Sequence, residues 1–124
     1  MLHQEEITNQ IIGAAIDVHR ELGPGLLESA YESCLCYELS TRHVPFVHQV
    51  PIPVVYKSVR IYCGYRADLV VAEKVIVELK AIDSIADLHK AQLLTYLRIT
   101  GMKVGLLLNF NIAVLKNGIV RVVL

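Results

Sequence analysis

A chain of 124 residues is one domain by size, and with 54% hydrophobic and 19% charged residues it has the means to bury a core and falls outside the disordered class. Its 12 lysines and arginines balance 12 aspartates and glutamates, which excludes a global field that draws in nucleic acid. Any DNA or RNA binding then has to be local, metal-assisted or weak.

The opening "MLHQEEITNQ" is acidic where a signal peptide is basic, which predicts a cytoplasmic protein. No run is long and charge-free enough to span a bilayer, so no membrane partner is expected. The odd set Cys34, Cys36 and Cys63 suits a reducing compartment and reads as packing residues. Cys34-x-Cys36 is not a zinc pattern, because positions two apart on a helix do not face each other.

Ile7, Ile11, Ala14, Val18 and Leu22 recur at helical spacing and predict a first helix over about Gln4 to Glu21. "GPG" at Gly23 to Gly25 ends it. A second helix over about Leu26 to Arg42 offers Leu27, Tyr31, Leu35 and Leu39 as core contacts. "FVHQVPIPVVY" follows, with Pro51 and Pro53 suited to an edge strand or a bulge. "VRIYCGYRADLVVA" reads as a second strand, with Gly64 a bulge or close-approach site. Glu73-Lys74 fits a tight turn into the third strand, "VIVELKAI". Ser84 to Thr100 reads as a helix with Ser84 as N-cap and Gly101 as C-cap. "KVGLLLNF" is a fourth strand. Two short strands, near Ile112 to Lys116 and Ile119 to Val123, are joined by Asn117-Gly118, a hairpin signal. Short links among the first three strands suggest an antiparallel meander, and the helix before "KVGLLLNF" suggests a crossover. The fold class is α/β, a mixed sheet flanked by helices in the order α-α-β-β-β-α-β-β-β, with residues 1–124 as one domain.

Glu78 and Lys80 stand out in "VIVELKAI". Strand side chains alternate, so both point to one face of an apolar strand. Aspartate is depleted in strands, yet Asp68 sits inside "RADLVV". A turn at Glu73-Lys74 brings Asp68 across from Glu78, with a lysine beside the pair. Two close carboxylates repel unless a cation lies between them, and a hard divalent ion such as magnesium is the natural occupant. The ordinary alternative is a cross-strand salt bridge from Lys80 to Asp68 or Glu78.

Asp68 followed by Glu78-Leu79-Lys80 resembles the signature of the PD-(D/E)XK nuclease superfamily, with Ala67 in place of the proline. "GLLESAY", with Gly25, Glu28 and Tyr31, resembles the pattern that names the GxxExxY proteins, a small bacterial group of that superfamily. "QLLTY", with Gln92 and Tyr96, resembles the Q-x-x-x-Y motif of RecB-type nucleases. The three motifs come in order over nearly the whole chain. The resemblance implies a restriction-endonuclease-like core, to which the first helix and the final hairpin are additions.

It also implies roles. Asp68, Glu78 and the backbone carbonyl of Leu79 hold magnesium or manganese. Lys80 positions or activates the attacking water, or stabilises charge on the phosphate. Glu28 adds a ligand from its helix, although a glutamate in a first helical turn is also favoured by the macrodipole. Gln92 and Tyr96 share a helix face over the site, and His89 lies close to that face. Arg66 is a surface strand residue or a phosphate contact. His19, His43 and His48 show no ligand spacing and are expected at or near the surface. The implied activity is metal-dependent phosphodiester hydrolysis in nucleic acid, with DNA the expected substrate. The alternative is a non-catalytic nuclease-fold module that binds nucleic acid or a protein partner. The apolar stretch "NIAVLKNGIVRVVL" leaves a homodimer open as an arrangement of the chain.

Overall fold

The computed structural model describes residues 3–124. Two helices come first, α1 (Gln4–Leu22) and α2 (Glu28–Thr41). The periodic residues Ile7, Ile11, Ala14 and Val18 are buried along α1, as are Tyr31, Leu35 and Leu39 along α2. The link between the helices is tied down by Tyr31, whose hydroxyl donates to the Gly23 carbonyl and accepts from the Leu26 N–H. Its ring stacks on Phe110, with centroids 4.5 Å apart. Tyr31 of the "GLLESAY" motif is therefore a structural pin.

The strands are β1 (Phe46–Pro51), β2 (Val54–Tyr56), β3 (Val59–Ile61), β4 (Arg66–Val71), β5 (Val75–Lys80), β6 (Val104–Asn109) and β7 (Ile119–Val123). Helix α3 (Asp87–Thr100) connects β5 to β6, and a short 3-10 helix (Leu115–Gly118) precedes β7. Five strands form one mixed sheet in the order β1-β4-β5-β6-β7, and only β5 and β6 run parallel. β2 and β3 form a separate hairpin. Helices α1 and α2 pack on one face of the sheet, over Leu69, Val77 and Leu106. Helix α3 packs on the other, over Val70, Ile76 and Leu107. No helix among the described residues is long and apolar enough to cross a membrane.

The expected mixed sheet with a crossover helix is present, and Pro51 does end an edge strand. Several expected elements differ. The run "VRIYCGYRADLVVA" is two strands in two different sheets. Gly64, at φ 94°, turns the chain between them with open space around it. The β2–β3 connection is Lys57-Ser58, both left-handed at φ 49° and 68°. That geometry matches the twist of a two-residue hairpin, but it is normally marked by Asn or Gly. Ser84 is not the N-cap. Helix α3 starts after Ala86, whose N–H donates to His89 Nδ1 at 2.9 Å. His19 is buried, with Nε2 donating to the Ile112 carbonyl at 2.8 Å. Cys63 is exposed and lies outside both core clusters, with its Sγ 3.8 Å from the Ile61 carbonyl.

Asn117-Gly118 makes no hairpin turn. It lies in the 3-10 helix, and a Cβ on Gly118 would stand 2.5 Å from the Asn109 carbonyl oxygen. Close approach, not backbone handedness, requires glycine there. Gly118→Ala should therefore cost about 1–3 kcal/mol, as overpacking does. Asn117→Ala, at an exposed position, should stay within about 0.5 kcal/mol. Urea unfolding of both variants checks this, and a large loss at Asn117 would restore the hairpin.

Candidate active site

β4 and β5 pair backbone to backbone from Val71–Val75 to Leu69–Val77. One step further the same register sets Asp68 against Glu78, and there side chains replace the ladder. The Asp68 N–H donates to Glu78 Oε2 at 2.8 Å, and the Leu79 N–H donates to Asp68 Oδ2 at 2.8 Å. Each carboxylate satisfies a backbone donor of the opposite strand. Glu78 is only 5% exposed, Asp68 is half-buried, and Leu79 is buried. Burial first, and the Asp68 charge second, push the Glu78 carboxyl up to about 8, against the pull of the Asp68 N–H and of Lys80.

Lys80 ends β5, half-buried, with its charge felt at Glu78. Among the described residues it forms no ion pair with either carboxylate, so the cross-strand salt bridge is not made. The chain beyond it is clamped by buried Asn109. That side chain donates to the Ile82 carbonyl at 2.9 Å and accepts from the Ile82 and Asn111 N–H groups, both at 3.2 Å. The Phe110 N–H holds the Lys80 carbonyl at 2.9 Å.

From the α3 side comes Tyr96, buried, with its ring edge-on to Tyr65 at 6.5 Å. Burial, then the charges of Glu78, Tyr65 and Asp68, push its phenol up to about 12, so it remains a hydrogen-bond donor at neutral pH. Gln92 lies one turn earlier on that face. Gln92, Tyr96 and Tyr65 line a groove of about 690 Å³ between α3 and the β2 strand. His89 lines it too, while its Nδ1 is spent on the helix start. Arg66 is exposed, opposite Pro51 at the first residue of β4.

From the α2 side the contact is Glu32. Gln49 Nε2 donates to Glu32 Oε1 at 2.8 Å and to Asp68 Oδ1 at 3.3 Å. Burial first, and the Asp68 charge second, raise the Glu32 carboxyl, while His48 Nδ1 stands 3.7 Å from its Oε2. Gln49, with a left-handed φ of 53°, lies between the His48–Leu69 and Val50–Ala67 pairs, where the ladder skips the position opposite Asp68. Such strain in a non-glycine residue persists only where its surroundings impose it. Glu28, the acid of the "GLLESAY" motif, is exposed at the first residue of α2, one turn before Glu32. Sequence reasoning missed Glu32, Gln49, Tyr65 and Asn109. The one local signal was a glutamine inside the strand "FVHQVP".

The pair fits one class of cation. No three Asp, Glu, His or Cys side chains gather as a cage among the described residues. Two carboxylates from neighbouring strands suit a hard, partly hydrated ion such as magnesium, which takes one or two carboxylates and keeps several waters. They lack the thiolate and imidazole donors of a zinc site.

A family model described as the PD-(D/E)XK nuclease superfamily matches residues 5–122. The chain belongs to the PD-(D/E)XK nuclease superfamily. No curated protein and no solved structure matches the chain. The mixed sheet flanked by helices is consistent with the restriction-endonuclease-like fold of this superfamily. Nuclease activity is what membership suggests.

Without metal, ionising Glu78 costs more in the folded chain than in the unfolded one. Stability should then be fully present below the ordinary carboxylate range, near pH 4.5, and be lost as pH rises toward about 8. Glu78→Gln keeps an acceptor for the Asp68 N–H and offers a donor to the Asp68 carboxylate. Thermal unfolding in chelator should show the wild type losing stability from about pH 5 to pH 8, with Glu78→Gln flatter and more stable at pH 8. A wild type that gains stability across that window would remove the repulsion.

Proposed function

We propose that this PD-(D/E)XK chain is a magnesium- or manganese-dependent phosphodiesterase that cuts DNA, and that it belongs to the GxxExxY group. One observation carries the reading. Two carboxylates face each other at the end of the β4–β5 ladder, beside Lys80 and Tyr96, and no ion pair among the described residues neutralises either.

Asp68, Glu78 and the Leu79 carbonyl would hold the metal, which when bound offsets the carboxylate charge and draws electron density from the scissile phosphate. Lys80, on the same strand face as Glu78, orients the attacking water and stabilises charge developing on the phosphate. The clamp of Asn109 on Ile82 fixes the chain that carries Lys80. Tyr96 offers its hydroxyl to a phosphate oxygen, and Gln92 orients water or substrate at the groove wall. Gln49, braced by Glu32, keeps Asp68 turned toward Glu78. Glu28 shares the Glu32 face of α2 and is assigned to the outer edge of the metal site.

The test is cleavage of labelled DNA and RNA with magnesium or manganese. Lys80→Ala should lower turnover about 100- to 1,000-fold, the usual loss for one electrostatic stabiliser of a transition state. Its substrate affinity should change little. Lys80→Arg should not restore turnover, because a planar guanidinium does not replace a compact ammonium. Either metal should raise the melting temperature of the wild type but not of Glu78→Gln, since only the folded state gathers the carboxylates. Substrate that binds but is never cut with either metal would favour the non-catalytic module.

A further inference from the structure

The β2–β3 hairpin has no packing role that accounts for its side chains. Register pairs Val54 with Ile61 and Tyr56 with Val59, and all four are exposed. Tyr56 and Tyr62 are 60% and 65% exposed, and Tyr65 stands exposed at the groove that leads to Tyr96. A contiguous exposed patch of this kind marks an interaction surface.

The charge around them is one-sided. Residues 39–67 contain no aspartate or glutamate. Within the hairpin region, Lys57, Arg60 and Arg66 are all exposed, and none makes an ion pair among the described residues. Lys57 Nζ lies 5.5 Å from the Tyr56 ring centre. Arg98 adds a fourth exposed cation from α3, at the groove. The opposite layer has the opposite sign: α1 and α2 together carry seven carboxylates and one arginine. The neutral total hides a molecule with one acidic face and one basic, tyrosine-bearing face.

We propose that the β2–β3 hairpin, with Tyr65 and Arg98, is a stacking platform for an unpaired stretch of nucleic acid, and that the groove feeds that strand to Asp68 and Glu78. The chemistry needed is a polyanion with free aromatic faces. Cations track its phosphates and tyrosines take its bases, as in strand-binding grooves generally. A duplex meets only half of that requirement, because its base faces are already covered by their neighbours. The groove, at about 690 Å³, has the capacity of a small-molecule pocket. A groove of that capacity matches individual nucleotides. The platform rests on the reading of the carboxylate pair as a phosphodiesterase site, and it names the form of nucleic acid that this site receives.

Binding without divalent metal separates the platform from the chemistry. Fluorescence anisotropy would compare a labelled oligothymidylate with a duplex of the same length. The single strand should bind at least about tenfold tighter, with a salt slope near −3 for about four phosphates. Tyr56→Ala and Tyr62→Ala should each weaken it about tenfold, at positions whose exposure leaves the core untouched. Tyr56→Phe should bind like wild type, whereas Tyr56→Leu, apolar but without a π face, should behave like Tyr56→Ala.

The platform is overturned if the duplex binds as tightly, or if the alanine variants bind unchanged. It is also overturned if sedimentation shows a dimer that Tyr56→Ala dissolves while no oligonucleotide binds, which would give the face to a second copy of the chain. Cleavage by the wild type and Lys80→Ala reads the other assignment separately. Lys80-dependent cutting with unchanged tyrosine variants sinks the platform alone. Tyrosine-dependent binding with no cutting sinks the phosphodiesterase alone.

Discussion

The exchange of hydrogen bonds between Asp68 and the Glu78–Leu79 segment is the constraint on which the site depends. At this point the two central strands stop bonding backbone to backbone, and each hands an N–H to a carboxylate of the other. The acids are therefore structural whatever chemistry they also perform. Their oxygens are oriented by donors that do not move, which is the preorganisation an electrostatic site requires. The same bonds cover part of the cost of burying two like charges, and the remainder appears as the raised Glu78 carboxyl. An apolar substitution at either position would leave a buried N–H without an acceptor. Amide substitutions are accordingly the cleaner probes, since they remove charge and keep the acceptor.

Rigidity around that exchange comes from the sheet. Every residue of β6 is buried, and β5 is buried as far as Leu79. α1 and α2 cover one face and α3 the other, so β5 has little freedom to shift. Its end is fixed twice more, by the Asn109 side chain and by the Phe110 N–H on the Lys80 carbonyl. Local alternation in β4 yields at Asp68. Leu69 and Val71 join the core under α1 and α2, yet Ala67 joins the core under α3. The left-handed Gln49 lies across from that break, so the strain in β1 and the aim of Asp68 are one feature.

Much of this was legible because periodicity records burial. Ile7, Ile11, Ala14 and Val18 mark α1, and the apolar run of β5 marks a central strand in which Glu78 is conspicuous. Asp68, Glu78 and Lys80 stand out for the same reason: charge in an apolar strand demands a partner, and the fold sets the two carboxylates against each other. What escaped the sequence has physical causes. Gly64 was read as a bulge inside one strand, but it turns the chain between two strands of different sheets, so one strand was read where two exist. Asn117-Gly118 carries a hairpin signal but answers to crowding against Asn109. His89 displaced Ser84 at the start of α3 because an imidazole at the third helical position can reach back to the Ala86 N–H. Glu32 and Gln49 are joined only by folding, at a separation of 17 residues, and no local pattern encodes that.

Net charge describes the whole chain and not its faces. A neutral sum argues against attraction to a polyanion only if the charges are mixed, and here they are sorted by layer. The helices on one face are acidic, the hairpin between β1 and β4 is basic, and the sheet between them holds the buried carboxylates. Screening at physiological salt extends about 8 Å, so charges on the far layer scarcely cancel those on the hairpin. A phosphate near Lys57 or Arg60 would respond to those local cations, and the acidic layer disfavours approach from the α1–α2 side. The same sorting bears on the proposed role of the centre. Paired carboxylates alone would repel a phosphate backbone, and the cations of the basic face, with a divalent ion if one is held there, would reverse that sign.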